Sequence, residues 1–262
     1  MATIAEWIRR EKPTLFVSDV SVEAATLARL MGTPVVVTAM RGNRHDEAHR
    51  LAYDLADALI APWPTFLPEP GWPSHWRAKT VHTGSISRFD GRSRPPRISG
   101  RNRAGKEVVV MLGGGGTDLN ATQLQEAAQA ASPWTWTLLG GPGADWIEDP
   151  WPVLCGADVV VTHAGQNAIA ECAAARVPAV VIPQERPHGE QHATARALER
   201  AGLATVRDTW PEPQEWPGLL ARAAAHKSHW ELWSPGDGAQ KAARLLSRLA
   251  LNPLERTACA PL

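Results

Sequence analysis

Valine- and isoleucine-rich segments alternate with helical patterns along the whole chain, and this alternation limits what the chain can fold into. In the first half, the apolar segments "TLFVS", "PVVVTAM" and "ALIAP" are separated by the helical patterns "SVEAATLARLM" and "DEAHRLAYDLA". The second half continues with "KEVVVML", "WTWTLLG", "ADVVVTH", "PAVVIP" and "LATV". Strands that alternate with helices are typical of parallel sheets covered by helices. The predicted fold class is therefore α/β.

The pattern restarts near the middle of the chain, which predicts two domains. The expected segments are a partial N-terminal Rossmann-like domain (1–86), a basic linker (87–106), a complete C-terminal Rossmann-like domain (107–252) and a tail (253–262). Ser21 and Asp46 are the expected N-caps of the first half's second and third helices, because their side chains can accept a bond from free backbone N–H groups. Helices near 213–226 and 236–250 are expected to close the C-terminal domain.

The linker carries most of its charge as arginine. Six arginines, with glycines and prolines between them, and almost no apolar side chains favour a solvated connection between domains. The alternative is that some of these arginines reach an anionic ligand or a lipid headgroup.

Composition excludes several classes of function. Lys+Arg and Asp+Glu are both 27, so no net charge favours nucleic acid as a partner. The three cysteines are widely spaced and lack metal-ligand spacing, which is typical of a reduced, cytoplasmic protein. No signal peptide is expected at the start, and no run of apolar residues is long enough for a transmembrane helix.

Tryptophan is unusually frequent, with 12 residues against one tyrosine and three phenylalanines. Two segments, "APWPTFLPEPGW" and "WPEPQEW", combine tryptophan with proline. Such segments are usually rigid loops folded onto a surface. A rim of indoles that binds sugar or lipid is the alternative.

Two glycine-containing turns follow strands of the second half. The first is Gly113–Gly116, after "KEVVVML", and the second is His163–Gly165, after "ADVVVTH". Ligands of parallel sheets bind beyond the carboxyl ends of the strands. Glycines there let backbone N–H groups approach an anion, and a following helix adds partial positive charge. A diphosphate is the expected ligand, although four glycines alone could be only a tight turn.

The second turn offers more chemistry than the first. The helix after Gly165 would point the amides of Asn167 and Ala168 at a phosphate, and His163 can donate a hydrogen bond at the same edge. Glu171 lies on an otherwise apolar stretch, where a carboxylate is costly without a partner. A ribose diol could be that partner, and a salt bridge to Arg176 is the structural alternative.

The residues of this half resemble a known family. They are His163-x-Gly165-x-Asn167-x-x-x-Glu171, Val177-Pro178, Ile182-Pro183, and Glu190-Gln191 with Ala195. The arrangement resembles the nucleotide-sugar-binding half of GT-B glycosyltransferases, which include plant, macrolide and glycopeptide enzymes and the peptidoglycan lipid N-acetylglucosaminyltransferase. The resemblance covers about 107–250, with a weaker match over 14–61. It implies two Rossmann-like domains, the N-terminal one incomplete and on the acceptor side.

The resemblance also implies roles for individual residues. The implied diphosphate and nucleoside ligands are Gly114, Gly115, Gly116, His163, Gly165, Gln166, Asn167 and, on the ribose hydroxyls, Glu171. Trp146 or Ile147 would contact the base, and Glu190 with Gln191 would reach the donor sugar. Members of the family usually carry Asp-Gln where this chain has Glu190-Gln191, glycine at the position of Arg176 and asparagine at that of Thr194.

The implied activity is transfer of a hexose from a UDP- or dTDP-sugar to an unknown small-molecule or lipid acceptor. No cofactor and no metal are expected, since the resemblance implies that a helix dipole and backbone amides take the place of a cation. A nucleotide-sugar hydrolase or epimerase on the same domains is the alternative enzyme. A third reading is a non-catalytic donor-binding subunit that acts with a partner or as a homodimer.

The first half is shorter than the family's N-terminal domain, which opens with a strand and a glycine-rich turn, often with a catalytic histidine. The chain is therefore expected to be a short form, a fragment, or dependent on a second polypeptide. Its candidate catalytic bases are Asp19, Arg41 and His45, all expected at strand ends. Asp19 directly follows the first strand and is the assigned candidate, with a helix cap for the segment from Ser21 as the alternative.

Overall fold

The chain folds into two compact α/β units, each built on a parallel sheet. The computed structural model describes residues 1–95, 106–112, 116–141, 144 and 147–251. Within these residues, the first unit comprises 1–86 and 237–251, and the second comprises 87–236. The linker residues 96–105 and the tail lie outside the described residues.

The first unit has four strands in the order β1-β2-β3-β4, all parallel. Its elements are α1 (Ala2–Glu11), β1 (Phe16–Asp19), α2 (Val22–Leu30), β2 (Val35–Thr38), α3 (Glu47–Leu55), β3 (Ala58–Ala61), α4 (Ser74–Ala78) and β4 (Thr80–His82). Its last helix comes from the end of the described chain.

Local sequence explains where these elements begin. The Ser21 side chain accepts a bond from the backbone N–H of Ala24, and the Asp46 side chain accepts one from His49. Both predicted N-caps are therefore confirmed. The central strand β2 is buried along Val35–Val37, which explains why it has an uninterrupted run of valines rather than an alternating pattern.

The last helix differs from its expected place. Helix Gly238–Leu251 was expected to close the C-terminal domain, but its Leu245 and Leu249 pack in one core cluster with Val36 and Ile60 of the first sheet. The helix therefore belongs to the first unit, and the expected boundary at 252 does not describe the structure. Its apolar face is buried there because β2 and β3 present small and branched side chains to it.

The second unit has five parallel strands in the order β6-β5-β7-β8-β9. Its elements are β5 (Glu107–Met111), α5 (Ala121–Ala130), β6 (Thr135–Leu139), α6 (Trp151–Gly156), β7 (Val159–Thr162), α7 (Gln166–Ala175), β8 (Ala179–Val181), α8 (Glu190–Arg200), β9 (Thr205–Val206), α9 (Trp216–Ala225) and α10 (Trp230–Trp233). Following this order, the first unit's last helix (Gly238–Leu251) is α11.

The register of strands β5, β7 and β8 aligns their carboxyl ends at one edge of the second sheet. Met111 of β5 pairs in register with Thr162 of β7, and Thr162 pairs with Val181 of β8. The next residues of the three segments therefore emerge side by side at one edge. One face of this sheet packs on α5 and α9, where Trp216 is fully buried.

Residues 91–95 of the basic segment are exposed, as expected of a linker, but two of its arginines also bond to residues of the second unit. Arg92 pairs with Asp149 at 2.8 Å, and Arg94 donates to the carbonyl oxygen of Cys155 at 3.1 Å. The Arg92 guanidinium also lies 5.4 Å from the Phe89 ring centroid and 5.6 Å from that of Trp151. The segment up to Arg94 is therefore part of the second unit, because its arginines bind groups of that unit.

The tryptophan–proline segments fold inward. Trp63 and Trp72 of "APWPTFLPEPGW" are 2% and 5% exposed, and Trp216 of "WPEPQEW" is fully buried. These three tryptophans are buried and do not form a rim of indoles. No helix of the described chain has the length and apolarity required to cross a membrane.

Candidate functional site

The carboxyl edge of the second sheet brings together polar residues from three strand ends. Gly116 closes the turn after β5 with φ +86°, a left-handed conformation that glycine adopts without strain. Gly114 and Gly115 lie outside the described residues, so their predicted role in diphosphate binding stays a prediction. His163 follows β7, and Ile182 follows β8.

His163 lies at this edge as predicted and is held from both sides. Its Nδ1 is 2.9 Å from the carbonyl oxygen of Ile182, and its Nε2 is 3.1 Å from the Thr117 hydroxyl. A carbonyl oxygen only accepts, so Nδ1 carries the proton and Nε2 accepts from Thr117 when the ring is neutral. Burial lowers the pKa of His163, which keeps the ring neutral. In this state, neither nitrogen is free to donate to a phosphate.

Three polar residues that the sequence did not single out complete this edge: Thr117, Gln184 and Arg186. The Gln184 Nε2 donates to the Thr117 hydroxyl at 3.4 Å. The Arg186 Nη2 donates to the Gly116 carbonyl at 2.9 Å and to the Gln184 Oε1 at 3.0 Å. A signal for two of them was present, because "QER" directly follows the strand "PAVVIP" and so lies at a strand end.

The N-terminus of α7 provides free backbone donors beside His163. Gly165 is its N-cap and no side chain caps the helix. The first intrahelical bond runs from the Ile169 N–H to the Gly165 carbonyl. The amides of Gln166, Asn167 and Ala168 therefore have no partner among the described residues. Three N–H groups at a helix N-terminus form a ready anion site.

Glu171 lies further along α7 and pairs with a residue that the sequence analysis did not connect to it. Its Oε1 accepts from the Arg88 Nε at 2.8 Å, with side-chain exposures of 14% for Glu171 and 59% for Arg88. The alternative pair with Arg176 is wrong, since that guanidinium donates to the Ser234 carbonyl at 2.7 Å. Burial raises the pKa of Glu171, and Arg88 opposes this rise. Its Oε2 has no partner among the described residues.

The predicted donor-sugar residues begin helix α8. Gln191 is 7% exposed, and its Oε1 accepts from the Gln184 backbone N–H at 2.9 Å. Its Nε2 lies 4.0 Å from where a Cβ on Gly165 would stand, so Gln191 and the N-cap of α7 are neighbours. Glu190 is the first residue of α8, directly after Gly189, which has φ +63°. The two residues thus lie close to the edge, and their sugar contacts stay a prediction.

The predicted base-binding loop is described only in part. Trp146 lies outside the described residues, and Ile147 is partly buried. Asp149, just after it, accepts from Arg92 and from the backbone N–H of Trp151. This fixes the end of the loop against the second unit.

The candidate bases of the first unit do not converge. Asp19 is exposed at the end of β1, and it does not act as a helix cap because the Ser21 side chain does. Arg41 is 4% exposed and pairs at 3.0 Å with the buried carboxylate of Glu69, so it holds a loop. His45 is exposed and stacks on Trp76.

With this geometry described, the chain can be compared with known proteins. Residues 147–210 match the glycosyltransferase family 28 C-terminal domain. An uncharacterized glycosyltransferase of Methanopyrus kandleri is 24% identical over 275 residues, which cover 92% of this chain and 77% of that protein. The UDP-N-acetylglucosamine–N-acetylmuramyl-(pentapeptide) pyrophosphoryl-undecaprenol N-acetylglucosamine transferase of Erwinia tasmaniensis is 30% identical over 150 residues, 49% of this chain and 41% of that enzyme.

Among solved structures, the glycotransferase of kitacinnamycin is similar with a TM-score of 0.68 and 21% identity, over 95% of this chain and 79% of that chain. The structural neighbours are GT-B glycosyltransferases, so the predicted fold is confirmed. The chain is a homologue of glycosyltransferases, and the glycosyltransferase class expected from its sequence is confirmed. The match to the Erwinia tasmaniensis enzyme spans less than half of that enzyme's length.

Proposed function

We propose that this protein transfers a sugar from a nucleoside diphosphate sugar, with UDP or dTDP as the nucleotide, to a hydroxyl group of a small-molecule or lipid acceptor. The observation that carries the proposal is the free N-terminus of α7. The amides of Gln166, Asn167 and Ala168 lack partners among the described residues, and they follow His163 and Gly165 at the carboxyl end of β7. Such a group of donors suits the negative charge of a diphosphate.

The surroundings of α7 support a nucleotide rather than free phosphate. Glu171 lies on the same helix with one carboxylate oxygen without a partner among the described residues, and a ribose hydroxyl can donate to it. Gln191, beside Gly165, offers an amide to a sugar hydroxyl. The name of the Erwinia tasmaniensis relative includes UDP-N-acetylglucosamine, which makes that donor the first to test.

The proposal includes no metal and no cofactor. The three amides and the helix dipole would hold the diphosphate, and Arg186 adds positive charge at the Gly116 turn. The unpaired, buried Cys155 and Cys172 support a reducing compartment such as the cytoplasm. Nucleic acid is not proposed as a partner, because the charges of the chain are balanced.

Thermal unfolding tests the donor site directly. A nucleotide at 100 times its Kd stabilises the folded state by about 2.7 kcal/mol, so UDP or dTDP should raise the Tm by several degrees. Asn167→Pro is the informative variant, since it removes one of the three amide donors from the first turn, where proline is tolerated. Glu126→Gln, on the exposed face of α5, is the control and should respond as the wild type does.

Two outcomes would contradict the proposal. No shift with either nucleotide at millimolar concentration would exclude the donor site. A shift that disappears with EDTA would show that a metal is needed, and the metal-free part of the proposal would then be wrong.

A further inference from the structure

An ion pair joins the first turn of the second unit to helix α7. The Nε of Arg88 donates to Oε1 of Glu171 at 2.8 Å, although 83 residues separate the two in the chain. The Glu171 side chain is 14% exposed and that of Arg88 is 59% exposed. Both residues belong to the second unit. The contact is therefore a feature of that unit by itself.

A tight turn fixes the backbone on both sides of Arg88. The Ser87 backbone N–H donates to the Asp90 carboxylate at 2.9 Å, and the Asp90 backbone N–H donates to the Ser87 carbonyl at 3.1 Å. The Phe89 backbone N–H donates to the Ser87 hydroxyl at 3.1 Å. These three bonds hold the Cα of Arg88 in place, so its side chain leaves the turn in a defined direction.

An aromatic ring supports the guanidinium of Arg88. Its central carbon lies 4.7 Å from the ring centroid of Phe89, which is 3% exposed. The Phe89 ring lies 5.0 Å from that of Trp151, the first residue of α6, and α6 packs against α7. A guanidinium can lie on an aromatic face and bond a carboxylate with its edge. Arg88 is therefore held against the helix that carries Glu171.

The ion pair orients the carboxylate of Glu171. A free glutamate side chain populates several rotamers, and fixing one of them costs conformational entropy. Because Arg88 already holds Oε1, this cost is met before a ligand arrives. The second oxygen, Oε2, has no partner among the described residues and is absent from the fully buried polar atoms that lack one. Oε2 is thus accessible to a donor such as a ribose hydroxyl.

The ion pair also favours the charged form of Glu171. Burial raises the pKa of this carboxyl, and the hydrogen bond and positive charge of Arg88 oppose the rise. The other titratable groups of α7, and those of α6 and α10 packed on it, are either uncharged buried thiols or bonded elsewhere: Cys155, Cys172, Arg176 and Glu231. Among these described groups, Arg88 is the one that stabilises the carboxylate.

We propose that Arg88 is a positioning residue of the donor site. Its ion pair orients Glu171 and keeps it as a carboxylate, so that Oε2 is presented to a ribose hydroxyl. A charged acceptor forms a hydrogen bond about twice as strong as a neutral one. Arg88 therefore sets the preference for a ribonucleotide by acting through Glu171. This inference rests on the proposed function, in which α7 binds a nucleoside diphosphate.

The test measures how ribose preference depends on pH in the full chain. Calorimetry gives the affinities for UDP and for 2′-deoxy-UDP from acid to mildly alkaline pH. Their ratio isolates the ribose contact, because both ligands carry the same diphosphate and its own titration cancels. The wild-type ratio should fall as the pH drops through the pKa of Glu171, since a protonated carboxyl accepts more weakly.

Arg88→Gln should show this fall at higher pH, because burial then raises the pKa of Glu171 without opposition. Its preference for UDP at neutral pH should decrease by up to about tenfold, the loss expected when Glu171 is neutral. Arg88→Lys keeps the positive charge and should restore most of the wild-type profile. A wild-type ratio and profile in Arg88→Gln would overturn the proposal.

Arg92→Gln is the matched control. Arg92 lies near the same ring, 5.4 Å from the Phe89 centroid, but it pairs with a different carboxylate, that of Asp149. This variant should keep the wild-type ratio at every pH. A change as large as that of Arg88→Gln would also overturn the proposal, because it would show that charge near the ring matters and the pair with Glu171 does not.

A measurement on the free protein separates this inference from the proposed function. Carbon-13 NMR of the glutamate carboxyls follows the titration of Glu171, whose signal is identified by its loss in Glu171→Gln. The titration should move to higher pH in Arg88→Gln and stay in place in Arg92→Gln. A titration that does not move in Arg88→Gln would overturn the role of Arg88. The expected titration in a protein that binds neither nucleotide would instead contradict the proposed function.

Discussion

Replacing Glu171 by glutamine tests whether this carboxylate accepts a hydrogen bond from a ribose hydroxyl. Only Oε2 of Glu171 can accept from a ribose, because Oε1 accepts from Arg88 at 2.8 Å and Oε2 has no partner among the described residues. Glutamine keeps the size of the side chain and removes its charge. The change therefore alters the strength of a hydrogen bond without opening a cavity.

The expected loss of affinity follows from the bond that changes. A hydrogen bond to a charged group contributes about 1.5–3 kcal/mol, and one between neutral groups about 0.5–1.5 kcal/mol. The amide oxygen of the introduced glutamine can still accept from the ribose, so the net loss is about 1–1.5 kcal/mol. Since about 1.4 kcal/mol is a factor of ten, UDP should bind roughly five- to tenfold more weakly.

The same substitution should cost little stability. Arg88 is 59% exposed, and ion pairs with so exposed a partner contribute about 0–1 kcal/mol. Burial raises the pKa of Glu171, so the native state already disfavours its charge, and a neutral side chain relieves that cost. The variant should therefore fold, and its binding can be measured.

Calorimetry with two nucleotides isolates the contact. Wild type and Glu171→Gln are titrated with UDP and with 2′-deoxy-UDP, which forms a double-mutant cycle between one side chain and one hydroxyl. The wild type should prefer UDP, and the variant should lose most of that preference. Glu126→Gln serves as the control for removing a carboxylate from an exposed helix position. A coupling energy near zero in a folded variant would refute the reasoning and leave Glu171 as a structural partner of Arg88.

Three further predictions concern the frame of the site. Thr117→Val removes the hydroxyl that donates to His163 Nε2, and the unsatisfied buried nitrogen should lower the free energy of unfolding by about 1–3 kcal/mol in denaturant titrations; an unchanged midpoint would contradict the hydrogen bond. Gly140→Ala places a Cβ 2.5 Å from the Leu112 carbonyl oxygen at φ +83°, so it should destabilise by at least about 1–3 kcal/mol, and a wild-type Tm would show that the turn adapts. Because the pKa of His163 is lowered in the native state, the unfolded chain binds a proton on this histidine more readily, and stability should fall as the pH drops below 6.5 toward the native pKa. His163→Gln should flatten this part of the stability profile, and an equal slope in both proteins would show that another group causes the pH dependence.

The strands and helix starts were predictable because their signals are local. Valine runs such as Val159–Val161 are buried in a parallel sheet, and the Ser21 and Asp46 side chains cap their own helices. A run of apolar residues or a capping side chain acts within a few residues, so one sequence contains the whole cause. The expected segments accordingly agree with the observed strands of both sheets.

The place of α11 could not be predicted in the same way. Its amphipathic pattern shows that one face must be buried, but the pattern does not identify the sheet that buries it. Leu245 and Leu249 fit against Val36 and Ile60, which are more than 180 residues away in the chain. Only the complementary shapes of the two surfaces select this partner.

The basic segment shows a second limit of sequence reasoning. Its charge and its glycines favoured a solvated linker, because charged side chains usually lie in water. Arg92 is exposed, and it also combines an ion pair to Asp149 with a position close to the Phe89 and Trp151 rings. A guanidinium can satisfy a carboxylate and an aromatic face together, and composition does not reveal whether both are in reach.

The candidate site was predictable in part: the sequence indicated which residues lie at strand ends but not which of them are neighbours. The sequence showed that Gly116 and His163 follow strands, and parallel strands place their ends at one edge. It did not show the strand order, in which β7 lies between β5 and β8. That order explains why His163 receives a hydroxyl donor from the β5 side, Thr117, and donates to a carbonyl on the β8 side, Ile182. A histidine on an outer strand of the sheet would have one such neighbour and could turn its second nitrogen to a phosphate. In this position both nitrogens are occupied, so under the proposed function the α7 amides would supply the direct contacts to a diphosphate, and His163 would position its neighbours Thr117 and Ile182.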